Sequence, residues 1–107
     1  MEIKQYQIVI VNLDPTVGSE IRKTRPCLVI SPDEMNKHLR TITIAPVTSV
    51  SKDYPTRKRF TLDGKISWIS IDQHRTIDKS RVVKVTGTLD MKDIRKVKAT
   101  IKETFVD

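Results

Sequence analysis

The first 88 residues alternate between short apolar runs and polar stretches that contain proline, glycine or several charges. The runs are rich in valine, isoleucine and threonine, and each has the length of a strand rather than of a helix. Several short strands at this spacing predict a small barrel or sandwich. The predicted strands occupy residues 7–13, 26–31, 41–47, 60–62, 66–71 and 81–85.

The polar stretches between these runs predict the turns. Asp63 and Gly64 separate two alternating runs, and Asp-Gly favours the tight primed turn of a two-residue hairpin. Residues 14–19 and 49–56 predict loops, whereas 32–36 predict either a turn or a short helical piece.

The end of the chain has a different period. Apolar residues recur at steps of three and four from Met91 to Phe105, which predicts an amphipathic helix of about four turns. Asp90 precedes the first of them and is expected to cap the helix. Phe105 lies on the apolar stripe and is therefore expected in the core. The lysines and arginines between the apolar positions are interpreted as a solvated helix face.

Composition and charge narrow the function. The length of 107 residues predicts a single domain, residues 1–107. Twenty basic and 13 acidic side chains give a net charge of +7, which favours an anionic partner, with nucleic acid ahead of a membrane surface. The excess of positive charge lies in the middle of the chain, where residues 22–89 hold 14 basic and 6 acidic side chains.

The same composition argues against several classes of protein. The sequence has no apolar run long enough to span a membrane and no apolar signal-peptide segment, so we expect a cytoplasmic protein without membrane association. One cysteine and two histidines are too few for an internal disulfide, a cysteine metal cage or most histidine metal sites. We therefore expect no metal and no cofactor.

Polar residues gather beside the predicted strands in three stretches, at 14–26, 45–49 and 71–78. Arg25 precedes a buried strand, and its planar guanidinium suits a phosphate. Thr48 ends another strand and offers a hydroxyl. The alternative is structural: Arg25 would pair with Glu20 or Asp72, and the hydroxyls of Thr48 and Ser49 would cap a turn.

Four segments in this order resemble the MazF/PemK/Kid family of toxin endoribonucleases from bacterial toxin–antitoxin pairs. They are Leu13-Asp14-Pro15-Thr16-x-Gly18-Ser19-Glu20, Lys23-Thr24-Arg25-Pro26, Pro46-Val47-Thr48-Ser49 and Asp72-Gln73-x-Arg75-Thr76-Ile77-Asp78. The resemblance implies a mainly β fold, a small SH3-like and partly open barrel with a C-terminal helix, that acts as a homodimer. It also implies an acidic, MazE-like antitoxin as partner.

The resemblance further implies metal-independent cleavage of single-stranded RNA. The RNA's own 2′-hydroxyl would attack, giving a 2′,3′-cyclic phosphate and a 5′-hydroxyl end. Arg25 corresponds to the central catalytic cation and Thr48 to the hydroxyl that binds the scissile phosphate. A guanidinium stays protonated, so Arg25 is a poor general base. Asp72 is a secondary catalytic candidate, because the arginine that assists it in some family members is Ser70 here.

Further residues are expected to contact RNA through the groove that the resemblance implies. They are Asp14, Thr16, Val17, Ser19, Glu20, Ser49, Tyr54, Arg57, Gln73 and Arg75. Among the aromatics, Tyr54 is the preferred platform for base stacking, whereas Trp68 is expected in the core. His74 falls at a variable slot of its motif and His38 in a polar stretch, so neither is favoured as acid or base.

A non-enzymatic alternative has the same fold. One class of related toxins poisons gyrase, and small SH3-like barrels also act as plain binding modules. Chains that resemble the gyrase-poisoning class end in Trp-Gly-Ile. This sequence ends Phe105-Val106-Asp107 instead, which favours the ribonuclease.

Overall fold

The computed structural model describes residues 2–13, 24–50 and 54–106, and these form a strand-rich fold that ends in a helix. The mainly β architecture and the C-terminal helix predicted from the sequence are both confirmed. In chain order the elements are β1 (Gln7–Asn12), β2 (Thr24–Val29), α1 (Asp33–His38), β3 (Thr41–Thr48), β4 (Arg57–Leu62), β5 (Lys65–Ser70), β6 (Arg75–Asp78), β7 (Val82–Thr88) and α2 (Met91–Phe105).

The strands form one curled antiparallel sheet in the order β4-β5-β3-β2-β1-β7. The central strand β3 pairs with β2 and, at different levels, with two further strands. Val47 and Thr48 face β5, whereas the segment from Thr41 to Ile44 faces β6. Because β5 and β6 follow each other along β3, the sheet bends there into a partly open barrel. Strand β6 was not predicted from the sequence.

Hydrophobic residues fill both faces of this sheet, since neighbouring side chains of a strand point to opposite sides. One face packs against α2 and the other lies inside the curl of β1, β2, β3, β6 and β7. The helix-side cluster includes Ile8, Leu28, Ala45, Val47, Phe60, Ile69, Ile71, Leu89, Ile94 and Val97. The second cluster includes Ile3, Val9, Val11, Cys27, Val29, Ile42, Ile44, Ile77 and Val82.

The hairpin between β4 and β5 has the turn that Asp-Gly predicts. Asp63 and Gly64 both have positive φ, at 50° and 78°, as a type I′ turn requires. Aspartate and glycine are among the residues that tolerate this region best, which explains why they occupy the turn. The first strand of the hairpin begins at Arg57, three residues before the predicted start. Because β3 ends at Thr48, the segment between the two strands has the predicted bounds of the loop, 49–56.

Helix α2 confirms the predicted start but not the predicted burial of its end. The Asp90 carboxylate accepts a hydrogen bond from the Asp93 backbone N–H at 2.8 Å. Val97 is fully buried, whereas Met91 is 64% exposed and Phe105 is 53% exposed. Placing Phe105 in the core was wrong, because its ring packs edge-on against His74 at the end of the helix and belongs to neither core cluster. Within the described ranges, no helix has the length and hydropathy needed to cross a bilayer.

Removing the helix cap should have a measurable cost. Asp90→Ala leaves the Asp93 N–H without its partner and should lower the free energy of unfolding by about 1 kcal/mol. Urea denaturation followed by circular dichroism measures this. Lys92→Ala changes an exposed position in the same turn and should stay within about 0.5 kcal/mol of the wild type. Equal losses in the two variants would contradict the capping role.

Candidate functional site

Strands β2 and β3 bring Arg25 and Thr48 to one groove. Their antiparallel register pairs Cys27 with Pro46, and two further residues along each strand lead to Arg25 and Thr48. Both residues line an open groove of about 440 Å³, to which Ser49 also contributes. The structure thus places the expected cation and the two expected hydroxyls side by side.

Arg25 has an exposed side chain on a strand whose backbone is paired with its neighbour β1. It is the second residue of β2, not the loop residue before the strand, and it lies opposite Val11 of β1. Strand pairing fixes the backbone, so only the side chain retains freedom. The proposed pairing with Asp72 is not observed: among the described residues, no ion pair joins Arg25 to a carboxylate. Glu20, the other proposed partner, lies outside the described residues.

Thr48 uses its hydroxyl to close the turn that follows β3. Oγ1 donates to the Val50 carbonyl at 3.1 Å and accepts from the Val50 N–H at 3.2 Å. The turn-capping alternative is therefore confirmed for Thr48. A hydroxyl has one hydrogen and two lone pairs. Rotation about the Cβ–Oγ1 bond would redirect that hydrogen into the groove while the bond from Val50 N–H is kept.

Asp72 lies in a separate cluster. Its carboxylate pairs with Arg57, whose Nε lies 3.3 Å from Oδ1, and it accepts from the Thr56 hydroxyl at 3.1 Å. Burial alone would raise the pKa of Asp72, but the hydrogen bonds from Arg57 and Thr56 and the Arg57 charge outweigh it and hold the pKa below its usual value. Asp72 does not line the groove of Arg25 and Thr48.

A family model matches nearly the whole chain. The model is described as PemK-like, MazF-like toxin of type II toxin–antitoxin system, and it matches residues 4–105. The chain belongs to this toxin family. The curated protein Endoribonuclease PemK of Escherichia coli is 35% identical over 82 residues, which make up 72% of this chain and 62% of that protein. The chain therefore spans about three fifths of the length of that relative.

Solved structures share the fold at low sequence identity. MazF from Deinococcus radiodurans has a TM-score of 0.78 at 24% identity, covering 97% of this chain and 96% of its own. Mycobacterium tuberculosis toxin MazF-mt6 has a TM-score of 0.77 at 24% identity, covering 92% and 95%. A Deinococcus radiodurans MazE–MazF complex has a TM-score of 0.79 at 23% identity, covering 97% and 96%. These likenesses support the expected toxin fold.

The other residues of this PemK-like chain that were expected to contact RNA lie at several separate places. Gln73 and Arg75 are exposed beside β3, with Arg75 opposite Ile44. Tyr54 is half exposed, and its ring lies 5.2 Å from the Arg57 guanidinium carbon. Five expected RNA-contacting residues lie outside the described residues, namely Asp14, Thr16, Val17, Ser19 and Glu20.

Two titratable side chains near these motifs, Cys27 and His74, have surroundings that suit a structural role. Burial raises the pKa of Cys27 to about 12 against the opposing charges of Arg25 and Arg75, so its thiol stays protonated. The Nδ1 atom of His74 lies 3.0 Å from the Ile71 carbonyl, and its ring meets Phe105 edge-on at 4.9 Å. His74 thus connects the end of α2 to the turn that carries Asp72.

Sequence reasoning missed the contribution of the β4–β5 hairpin to the groove. Leu62 and Ser67 line it. Trp68 pairs in register with Thr48 and is partly exposed, so assigning it to the core was wrong. The Asp-Gly turn could have revealed part of this, because a two-residue hairpin fixes which β4 residue faces which β5 residue.

Proposed function

We propose that this chain is a sequence-specific endoribonuclease that cleaves single-stranded RNA and acts as the toxin of a toxin–antitoxin pair. The observation that carries the proposal is the meeting of Arg25 and Thr48 in one open groove of a PemK-like domain. The Escherichia coli relative is named an endoribonuclease. An open groove admits a single strand more readily than a closed pocket would, because the backbone can pass through it.

The proposed reaction uses the nucleophile that RNA carries. The 2′-oxygen forms a bond to the adjacent phosphorus, the bond from phosphorus to the 5′-oxygen breaks, and the 2′-proton is taken up while the leaving oxygen gains one. The products are a 2′,3′-cyclic phosphate and a 5′-hydroxyl, and no metal takes part. The chain must therefore bind the phosphate, stabilise the developing charge and assist proton transfer.

Arg25 and Thr48 supply the first two requirements. The Arg25 guanidinium can donate two parallel hydrogen bonds to non-bridging phosphate oxygens, which carry more negative charge in the transition state than in the substrate. The Thr48 hydroxyl can donate a third. The lowered pKa of Asp72 makes that carboxylate a weak base, and it lies in a different cluster, so we assign it no proton-transfer step.

The proposal includes two protein partners, a second copy of this chain and an acidic antitoxin. Structural neighbours include a mycobacterial endoribonuclease in complex with its cognate antitoxin and a MazE–MazF complex from Deinococcus radiodurans. The surplus of positive charge in residues 22–89 suits an acidic segment as well as RNA. Light scattering of the purified chain tests the dimer, and a monomer mass at micromolar concentration would contradict it.

The cleavage chemistry predicts the products directly. Mixed-sequence single-stranded RNA incubated with the protein and EDTA should be cut at a short recurring sequence. The new 5′ ends should accept phosphate from a polynucleotide kinase without prior phosphatase treatment, and mass spectrometry should show cyclic phosphates. Loss of cutting in EDTA, or 5′-phosphate ends, would contradict the mechanism. Intact RNA together with gyrase-dependent DNA breaks would favour a gyrase poison instead.

A further inference from the structure

The groove opens where strands β2 and β3 stop pairing. Within the described ranges, β3 pairs with residues 27–29 of β2 and no further toward the start of that strand. Residues 24–26 lie beyond this pairing and line the groove instead. Their backbone is paired with residues 10–12 of β1. How firmly Arg25 is held at the groove therefore depends on how firmly the end of β1 is held.

The pairing of β1 with its other neighbour, β7, is irregular at this level. Ile10 faces Lys84 of β7, but the next residue of β1 faces Val82. Val83 is thus the extra residue of a bulge, and its side chain is 54% exposed. A bulge interrupts the ladder of hydrogen bonds between two strands. One pair of residues remains beyond it in the described register, because β7 begins at Val82.

The side chain of Arg81 continues this interrupted ladder. Its Nη1 atom donates a hydrogen bond to the Leu13 carbonyl at 2.8 Å, and the contact is partly buried. Leu13 follows the last residue of β1, and Arg81 precedes the first residue of β7. The guanidinium therefore joins the two strands one step beyond their last backbone pair. A charged donor makes a stronger hydrogen bond than a neutral one does.

Arg81 can act as an anchor because its own backbone is fixed. It ends a 3₁₀ turn, residues 79–81, between β6 and β7. The Asp78 carboxylate accepts from the Ser80 N–H at 2.8 Å, and the N–H of the first residue of the turn donates to the Arg40 carbonyl at 2.9 Å. Neither bond involves β1 or the groove, so the turn is held independently of the strand end that it anchors.

We propose that Arg81 is a positioning residue for Arg25. By binding the Leu13 carbonyl it fixes the end of β1, and through the pairing of β1 with β2 it fixes the segment that presents the Arg25 guanidinium. Arg81 does not line the groove and touches no reacting atom. It also lies outside the four segments that carry the family resemblance. The inference rests on the proposed function, because it concerns the cleavage that Arg25 supports.

Arg81→Met tests the anchor by removing the donor while keeping a long, unbranched side chain. Misplacing a catalytic group by about 1 Å can cost about 100-fold in rate. Because Arg81 acts through an intervening strand, we expect the single-turnover cleavage rate at saturating enzyme to fall less, by about tenfold. Arg81→Lys retains one donor on a long side chain and should recover part of this loss.

Lys84→Met is the matched control for the lost charge, because Lys84 is exposed on β7. Both methionine variants should weaken binding of a 2′-O-methylated single-stranded RNA, which cannot undergo 2′-hydroxyl attack, to a similar extent. Only Arg81→Met should lower the cleavage rate at saturation. Equal cleavage rates in the two variants would overturn the inference.

A double-mutant cycle separates positioning of Arg25 from general damage to the protein. If Arg81 acts through Arg25, Arg81→Met should cost less than about twofold when Arg25 is already alanine, because the group to be positioned is gone. Independent effects would multiply, so a further loss of about tenfold in the Arg25→Ala background would overturn the inference. Circular dichroism melting verifies that every variant is folded at the assay temperature.

Hydrogen exchange measures the anchor without RNA. In Arg81→Met, amide protons at the paired ends of β1 and β2 should exchange about fivefold faster, the effect of losing one hydrogen bond of ordinary strength. The amide protons of β3 and β6 serve as the reference and should exchange at the wild-type rate. Unchanged exchange at the β1–β2 end would overturn the inference.

The failure of the inference and the failure of the proposed function give different results. A wild-type chain that cuts no RNA would refute the proposed function, together with the role in cleavage that rests on it. A wild-type chain that cuts RNA, with Arg81→Met cutting at the same rate, would refute the inference alone.

Discussion

Arg25→Ala should lower the rate of RNA cleavage at least 100-fold while the protein stays folded. The side chain is exposed on a strand that is paired on both sides, so truncating it removes no core packing. What it removes is the cation beside Thr48, where negative charge increases on the phosphate oxygens in the transition state. Loss of one such donor typically costs a factor of 100 to 1,000. Single-turnover cleavage at saturating enzyme measures the effect on the chemical step.

A conservative variant and a control variant test the role assigned to Arg25 more strictly. Arg25→Lys keeps the charge but cannot form the forked contact, so it should recover only part of the activity. Arg95→Ala removes an exposed arginine from α2, far along the chain from the groove residues, and should leave the single-turnover rate nearly unchanged. Cleavage by Arg25→Ala within about threefold of the wild type would contradict the assigned role. Circular dichroism melting curves should overlap.

The strands were predictable because their residues carry the necessary information locally. Val and Ile runs of strand length recur between turn residues, and the Asp63-Gly64 pair determines one hairpin together with its register. The arrangement of β5 and β6 along the same edge of β3 was not predictable, because it depends on how the sheet curls. Periodicity likewise marked Phe105 as apolar but could not show where the covered part of α2 ends.

The candidate site, too, was predictable from the sequence only in part. Physical chemistry alone indicated a cation and a hydroxyl at strand ends and left open whether they act or merely stabilise the fold. The resemblance to the family selected Arg25 and Thr48, and the β2–β3 register brings these two together. The partner of Asp72 depends on a contact between β4 and the turn after β5. The sequence offered Glu20 or Asp72 as the ion-pair partner of Arg25, whereas the Asp72 carboxylate pairs with Arg57.

Leu28→Ala should destabilise the protein by about 2–5 kcal/mol, the range for a large-to-small change in a packed core. Leu28 is fully buried on β2, in the cluster between the sheet and α2. Leu39→Ala makes the same chemical change at a side chain that is 44% exposed and should cost less than about 1 kcal/mol. Urea denaturation of both variants gives the two free energies, and similar losses would contradict the assigned core.

The same variant tests whether the groove depends on the core only through folding. Leu28 and Arg25 are three residues apart on one strand, so their side chains project from opposite faces. Truncating Leu28 removes packing on the helix side and changes no group in the groove. We therefore expect cleavage per folded molecule to stay close to the wild type at low temperature, and to fall on warming in proportion to the folded fraction. A large loss of cleavage while the protein is fully folded would show that packing beneath β2 positions Arg25 directly.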